Sequence, residues 1–437
     1  MRLTLWHGCL IGTITLVTVV ILMVMSWFYS TADIRRVQAY AKANGISTTW
    51  EEAAFPAPTR ADQTAIREFA RLAGTQKSLR DMDNQAAPRQ IEPANATMRD
   101  HYATIPESFW QELDAVIDAL PTPPRCLYER VTLGSNFDFI QWQRSLVRLQ
   151  AERLQCCPVI EIPSHLRRAL RLCHVMRNQT LLQHLVDNSC VAIVTSAVTS
   201  RRSEMTEADL RLAVAEQLRH LQQTLWDARR DAWRGEAATM FLLSANPQEV
   251  ARLTWTRAAG STWAGVLESM QYPLRLLVFR LNRDLVLRHQ VDSQIATAAA
   301  KDNSDLIRRM QVVPEPVARG AWITEVAEAT PFLLKIPSTM ISQSLVKQLL
   351  VLSVLIADLT NATLPTDHFS ATGAALHPVT RNGVVIGWYS VGPNGNDDGG
   401  KVSTDFGIPL SATFGKPLFS DEPKPRAAKA FAPTTKP

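Results

Sequence analysis

The feature that most constrains this 437-residue chain is a run without any charged residue, from Gly8 to Tyr29. Its large apolar side chains favour insertion into a bilayer by about 3–7 kcal/mol. At about 1.5 Å per helical residue, the run covers the ~30 Å hydrocarbon core of a membrane. Trp27 and Tyr29 close it, where amphipathic rings favour the interface. The sequence therefore predicts an uncleaved, single-pass signal-anchor over residues 1–29, with residues 8–29 crossing the membrane.

Two other interpretations of this run stay open at this point. A buried core helix is one, and a cleaved signal peptide ending near Ser30-Thr-Ala32 is the other, although the apolar run exceeds the usual 7–15 residues. The basic residues do not settle the orientation of the anchor. Arg35 and Arg36 slightly favour a cytoplasmic body by the positive-inside rule, but long domains translocate largely regardless of charge.

Composition limits the rest of the chain to a globular body. Hydrophobic residues make up 46% of the sequence and charged residues 20%, so a sizeable core can be buried. The net charge of +5 is too small to indicate a nucleic-acid partner, whose ligands usually carry a concentrated basic face. Six cysteines exclude a disulfide-dense scaffold.

Hydrophobic periodicity predicts a mainly α fold with an N-terminal transmembrane helix, a multi-helix body and a small C-terminal β module. Apolar residues recur at 3–4 spacing after Pro163-Ser164, and again over about 28 residues after Thr206, a helix N-cap. Val384 to Tyr389 follows the turn dipeptide Asn382-Gly383 and predicts a strand. The predicted division is an anchor, a membrane-proximal helical region with linkers, a helical body, a β module and a disordered tail, over residues 1–29, 30–160, 161–363, 364–420 and 421–437.

Three segments carry more specific predictions. Polar composition predicts a loop over residues 83–104, and residues 345–359 are apolar but too short to span a membrane, which predicts a buried helix. A helix after Pro273 carries interleaved arginines. They are typical of a solvated face, and an anionic-lipid or nucleic-acid surface is the alternative.

No catalytic motif is found in the sequence: it contains no Gly-x-Ser-x-Gly elbow, His-Glu-x-x-His pair or phosphate-binding glycine loop. A cluster of cysteines and histidines lies at the centre of the chain, but its spacing does not fit a zinc site. We expect structural cysteines there, with a disulfide or a metal site as alternatives; the cluster comprises Cys156, Cys157, His165, Cys173, His174, His184 and Cys190.

An oxygen-rich loop near the C-terminus is a candidate calcium site. Asn394, Asn396 and Asp398 occupy every second position of the loop, and Asp405 follows later in the segment. Alternating side chains and a late carboxylate can surround calcium, with the Gly400 carbonyl as a backbone ligand. The alternative is a polar hairpin loop in which Asn and Gly supply left-handed conformations.

The C-terminal segment resembles a known group of proteins. Leu364-Pro-Thr-Asp-His-Phe369, followed by a strand and Tyr389-Ser-Val-Gly-Pro-Asn-Gly-Asn-Asp-Asp-Gly-Gly400, is similar to the ending of membrane-anchored planctomycete-type bacterial proteins of unknown function. Gln38-Ala-Tyr-Ala-Lys-Ala-Asn-Gly45, Thr49-Trp-Glu-Glu52 and Trp233-Arg-Gly-Glu236 also resemble parts of those proteins.

The same ending is similar to that of the major pseudopilin of type II secretion, whose corresponding loop holds calcium. This chain departs from these patterns at His368, where the family has Pro, and at Asn394, where it has Asp. The start of the sequence also lacks a prepilin cleavage signature. The resemblance implies an extracytoplasmic body held at the bacterial inner membrane.

Three functions are therefore expected, in order. The first is a non-enzymatic structural or assembly role in the cell envelope through a protein partner, and the sequence identifies no small-molecule substrate. The second is a secretion- or pilus-associated component with a calcium-binding ending. The third is an enzyme without a recognisable motif, in which an acidic residue such as Glu236 does acid–base chemistry.

Overall fold

The fold was analysed in a computed structural model of the chain. It describes residues 33–57, 59–75, 96–122, 124, 126, 138–245, 284–285, 287–301, 303–313, 351–356, 359, 363–370, 372–381, 384–392, 395–397, 399 and 406–409. The predicted anchor over 8–29 and the tail over 421–437 lie outside these residues.

The described chain begins with a helix, α1 (33–43), which ends at Asn44-Gly45, a pair of residues typical of helix ends. Gly45 adopts a left-handed backbone with φ of 69°, a conformation that glycine reaches without a steric penalty. A one-turn helix, α2 (Trp50–Ala53), follows, and the Thr49 side chain accepts a hydrogen bond from the Glu52 amide at its start. Both helices pack on later parts of the chain.

Helices make up most of the described chain, which confirms the mainly α prediction. After α2 come α3 (Arg60–Thr75), α4 (Ala96–Thr104), α5 (Glu107–Ala119), α6 (Asp138–Cys156), a 3₁₀ turn (Val159–Glu161), α7 (Ile162–Cys173), α8 (Leu181–Ser200), α9 (Ala208–Ala245), α10 (287–299), α11 (Asn303–Gln311) and α12 (351–356).

The sequence-based predictions were wrong in two places and incomplete in a third. Residues 96–104, within the predicted loop over 83–104, form α4, since its aromatic Tyr102 packs against the core. The helix predicted to start near Thr206 runs for 38 residues, about ten more than expected. Helix α6 was not predicted individually, although it lies at the centre of the fold.

The core forms where α6, α7 and α8 pack together. Leu146 and Leu154 of α6, Leu166 of α7 and Val194 of α8 are fully buried in one cluster. Helix α8 is surrounded by α6, α7 and α9, and such a helix is apolar around most of its circumference. Among the described residues it is the one helix long and apolar enough to cross a membrane, and a buried core helix has the same composition.

The C-terminal module contains a three-stranded antiparallel sheet in the order β1 (His377–Arg381), β2 (Val384–Ser390) and β3 (Phe406–Pro409). β2 therefore confirms the predicted strand. The sheet packs on the helical core, because Phe369, Leu376 and Trp388 join the same apolar cluster as α12. His368 adds a contact between its Nδ1 atom and the Ser304 hydroxyl of α11, 2.9 Å apart.

A buried carboxylate organises the module. Asp367 is fully buried, and its Oδ1 accepts hydrogen bonds from the Phe369 amide at 3.0 Å and the Ser390 hydroxyl at 2.7 Å. Its Oδ2 accepts a third hydrogen bond, from the Val391 amide at 2.8 Å. These bonds hold the segment before the sheet against the end of β2, since buried donors need a partner.

We predict that Asp367→Ala destabilises the module by about 2–5 kcal/mol, because two buried amides and a hydroxyl lose their acceptor. Amide hydrogen exchange of β1 and β2 measures this loss directly. Asp397→Ala, which removes a half-exposed carboxylate from the neighbouring loop, is the matched control and should cost less than about 1 kcal/mol. Equal losses in the two variants would contradict the role of Asp367.

Candidate functional site

The clearest concentration of chemistry-bearing side chains lies around the loop that joins α7 to α8. We call it the central polar cluster, and it consists of Gln143, His174, Asn178, His184 and Asp187. All five side chains are at least nine-tenths buried. Gln143 comes from α6, His174 and Asn178 from the loop, and His184 and Asp187 from the first two turns of α8.

Local sequence signals place the loop and the start of α8. Helix α7 ends at Cys173, and Thr180 starts α8 with a capping box. The Thr180 side chain accepts from the Gln183 amide, and the Gln183 side-chain carbonyl accepts from the amides of Gln179 and Thr180, at 2.7 and 3.0 Å. This reciprocal capping satisfies amides that a helix start would otherwise bury without partners.

Asp187 is the centre of the cluster. One of its oxygens lies 2.5 Å from Nδ1 of His174, and the other accepts a hydrogen bond from the Gln143 amide at 3.0 Å. The Asn178 side chain donates to it as well. Burial raises the pKa of Asp187 above its ordinary value, and the hydrogen bonds and the His174 charge oppose that shift.

His184 lies one turn before Asp187 on α8 and contacts the same Asn178 side chain. It has no exposed surface, and its Nδ1 atom is 3.3 Å from the Asn178 amide nitrogen. Burial lowers its pKa well below the ordinary value, and the positive charges of Arg229 and His174 lower it further. Arg229 of α9 is also fully buried and stacks over Trp226 at 5.7 Å, and burial lowers its pKa to about 9. At neutral pH, His184 is therefore uncharged beside a charged arginine.

Helix α9 closes the cluster by a backbone contact that only glycine permits. Gly235 lies against the carbonyl group of Gln179, where an added Cβ would overlap the carbonyl oxygen and lie 2.8 Å from its carbon. One residue on, the Glu236 carboxylate accepts a hydrogen bond from the Leu181 amide at 3.1 Å, in the first turn of α8. Burial raises the pKa of Glu236.

Glu236 was the acid–base candidate from the sequence. The structure places it at the N-terminus of α8, where a carboxylate satisfies a helix amide and complements the helix dipole. In the central polar cluster, His174 likewise contacts the Asp187 carboxylate, and His184 contacts Asn178, inside the helical body. As arranged, the cluster joins α6, α7 and α8 and fixes the loop between them.

The described cysteines of the central cluster fit the structural interpretation. Cys173 and Cys190 are fully buried, and burial raises the pKa of both thiols, so they stay protonated at neutral pH. Cys157 is also buried, and burial raises its pKa to about 11. Cys156, Cys157, Cys173 and Cys190 form no disulfide bond with one another, and within the described ranges no group of three His, Cys, Asp or Glu side chains is arranged to hold a metal ion.

The predicted calcium loop falls largely outside the described residues. Asn394, Asp398, Gly400 and Asp405 are not among them, and Asn396 is described as exposed. Calcium binding by this loop therefore stays a prediction. The described Asp397 accepts hydrogen bonds within the loop, from the Tyr389 hydroxyl at 2.8 Å and the Gly399 amide at 2.9 Å.

The sequence analysis named His174 and His184 as candidate ligands but did not find Gln143 or Asp187. A signal was present on α8, where His184, Asp187 and Asn188 recur at 3–4 spacing on an otherwise apolar helix. Polar residues at core spacing indicate a buried hydrogen-bonding network. The contribution of Gln143 had no such signal, because it depends on the packing of α6 against α8.

Comparisons of the chain with protein-family models, curated proteins and solved structures found no match.

We predict that His184 makes the fold sensitive to acid. Its pKa in the folded state lies below the unfolded value of about 6.5, so the unfolded chain binds the proton more tightly than the folded one. The contribution of neutral His184 to stability is therefore fully present above pH 6.5 and is lost as the pH falls below it. Unfolding free energy should then fall by about 1.4 kcal/mol per pH unit from this group. Denaturant unfolding between pH 7 and 5 should show a shallower decline in His184→Gln than in the wild type.

The matched control for this prediction is His220→Gln, at an exposed position of α9. In this control, the unfolding free energy should decline with falling pH as steeply as in the wild type. If His184→Gln also keeps that slope, His184 does not bind its proton more weakly in the folded state, and the prediction is wrong.

We also predict that Gly235→Ala destabilises the body by about 3 kcal/mol or more, since the new methyl group meets the fixed backbone of Gln179. Gly45→Ala is the control: no atom lies within 4 Å of an added Cβ there, so only the positive φ opposes it, at about 1 kcal/mol. Thermal or denaturant unfolding compares the two. A smaller loss at position 235 than at position 45 would contradict the close contact.

Proposed function

We propose that the chain is a single-pass protein of the bacterial inner membrane whose extracytoplasmic body has a structural or assembly role through contacts with a partner protein. The proposal rests first on the connection between the predicted anchor and the body. The apolar run ends at Tyr29, and α1 begins within four residues, at Asp33 in the described chain. Little chain is left for a flexible linker.

Helix α1 supports this proposal because it packs against the body along its length. Ile34, Val37 and Ala41 are buried against Phe241 of α9 and Val291 of α10. The Tyr40 hydroxyl also donates to the Asp292 carboxylate of α10 at 2.9 Å, while the Arg288 guanidinium stacks over the Tyr40 ring at 3.4 Å. An anchor joined to such a helix would hold the body at a fixed height over the bilayer, as a scaffold requires.

The hydrogen bonds made by the buried acidic side chains also favour a structural role over an enzymatic one. The carboxylates of Asp187 and Asp367 are buried and accept several hydrogen bonds each, and Glu236 satisfies a helix start. Groups used in this way hold elements of the fold together. The extracytoplasmic orientation follows from the resemblance of the C-terminal segment.

The proposal predicts that the full chain stays in the membrane pellet after alkaline carbonate washing and is released by detergent. A chain lacking residues 1–29 should be recovered in the soluble fraction. Protease added to intact spheroplasts should digest the body. Release of the full chain by carbonate would exclude the anchor, and full protection from protease would place the body in the cytoplasm.

The partner contact is tested in the same cells by a photo-crosslinking residue at exposed apolar positions. Ile160 is 73% exposed and Val312 is 79% exposed, so both side chains are accessible to a partner. A discrete crosslinked species at one of them, and none with the crosslinker at exposed Arg219 of α9, is the expected result. No crosslinked species at either apolar position would count against partner binding through these residues.

A further inference from the structure

The segment between α1 and α3 crosses the helical body and ends on the loop that carries the central polar cluster. We call residues 46–57 the anchor-proximal strap. Ile46 is buried beside α9 and α10, and Trp50 and Ala53 of the strap are buried against Ala238 of α9. Phe55 follows, with its ring 5.4 Å from that of Trp50.

Phe55 packs against a group of charged side chains contributed by the α7–α8 loop and α9. Arg177 of the loop and Arg234 of α9 both pair with Asp231, at 2.5 and 2.9 Å. The Phe55 ring lies next to both guanidinium groups, 5.8 Å from that of Arg177 and 4.8 Å from that of Arg234. Cations beside an aromatic ring are attracted to its face, so the ring holds the loop arginine against α9.

This contact is continuous with the buried cluster. Arg177 is followed directly by Asn178, whose side chain donates to Asp187 and lies 3.3 Å from His184. The ring of Phe55 also covers the close contact between α9 and the loop, since its Cε2 atom lies 3.1 Å from the position of an added Cβ on Gly235. The strap and the loop therefore share one set of packed side chains.

Two features of the strap oppose its bound conformation. Ala54, between α2 and Phe55, adopts a left-handed backbone with φ of 51° and ψ of 43°, which is unfavourable for a residue with a Cβ. The Trp50 indole nitrogen is buried, and among the described residues it has no hydrogen-bond partner. Strain and an unsatisfied donor in one short segment are typical of elements that change conformation.

We propose that the anchor-proximal strap is a releasable clamp. While the strap is packed on the body, Phe55 holds the α7–α8 loop against α9 and so keeps His174 in contact with Asp187. When movement of α1 pulls the strap away, Ala54 relaxes, Trp50 reaches water, and the loop loses the ring that holds Arg177. The fold would in this way transmit a displacement at its N-terminal helix to its buried polar centre.

The test is amide hydrogen exchange on the full chain, comparing the wild type with Phe55→Ala. Exchange over residues 174–181 should rise more than threefold, while exchange over 96–119, in α4 and α5, stays within threefold. Thr49→Ala is the matched control, because it removes the cap of α2 but leaves Phe55 in place. It should raise exchange over residues 50–53 alone.

The outcome that overturns the proposal is a rise of threefold or less over residues 174–181 in Phe55→Ala. An equal rise over 96–119 would also overturn it, since the substitution would then destabilise the whole body. If Phe55→Ala does not fold, the same exchange measurement is made on Phe55→Leu, with the same threefold criterion. Leucine fills the site but offers no aromatic face to Arg177 and Arg234. Phe55→Tyr should restore the exchange of the wild type.

Discussion

The carboxylate of Asp187 is the point at which helices α6 and α8 and the loop after α7 are joined. It is buried in an apolar core, where a charged or polar group is costly unless its hydrogen bonds are made. Gln143 supplies one of those bonds from α6, and His174 and Asn178 supply the others from the loop after α7. Because these donors belong to α6 and to the loop, while the carboxylate belongs to α8, the loop can be buried in one arrangement of the helices and not in others.

The same principle appears a second time in the C-terminal module. Asp367 is fully buried and accepts hydrogen bonds from two backbone amides and the Ser390 hydroxyl, whose residues are buried as well. Removing one partner from such a group leaves the others unsatisfied, so the loss of stability exceeds the value of a single hydrogen bond. Both the helical body and the module thus depend on a buried carboxylate that connects distant segments.

The N-terminal part of the described chain is connected to the same centre. Helix α1 packs on α9 and α10, and the strap that follows it ends with Phe55 against Arg177 and Arg234. Gly235 allows the backbone of α9 to approach the α7–α8 loop closely at this position. A displacement of α1 therefore has a contiguous set of contacts through which it can reach the buried pair, as physical coupling between sites requires.

The sequence by itself determined which segments become helices and strands, wherever the signal is local. Periodicity, capping and turn residues predicted the helix after Pro163-Ser164, the helix after Thr206 and the strand over 384–389, because these depend on neighbours along the chain. Local polarity was misleading at α4, where residues 96–104 form a helix within a segment that is polar overall. There the burial of one aromatic face outweighs the polar composition.

Tertiary structure decided what local patterns cannot encode. The sequence identified His174 and His184 as notable, but only the packing of α6 on α8 brings Gln143 to Asp187, 44 residues away. Gly235 lies within a long helix, where glycine is disfavoured, and its reason is a carbonyl group contributed by Gln179. Hydrogen bonds and close contacts between distant segments depend on the relative positions of whole helices, which the burial of their apolar faces determines.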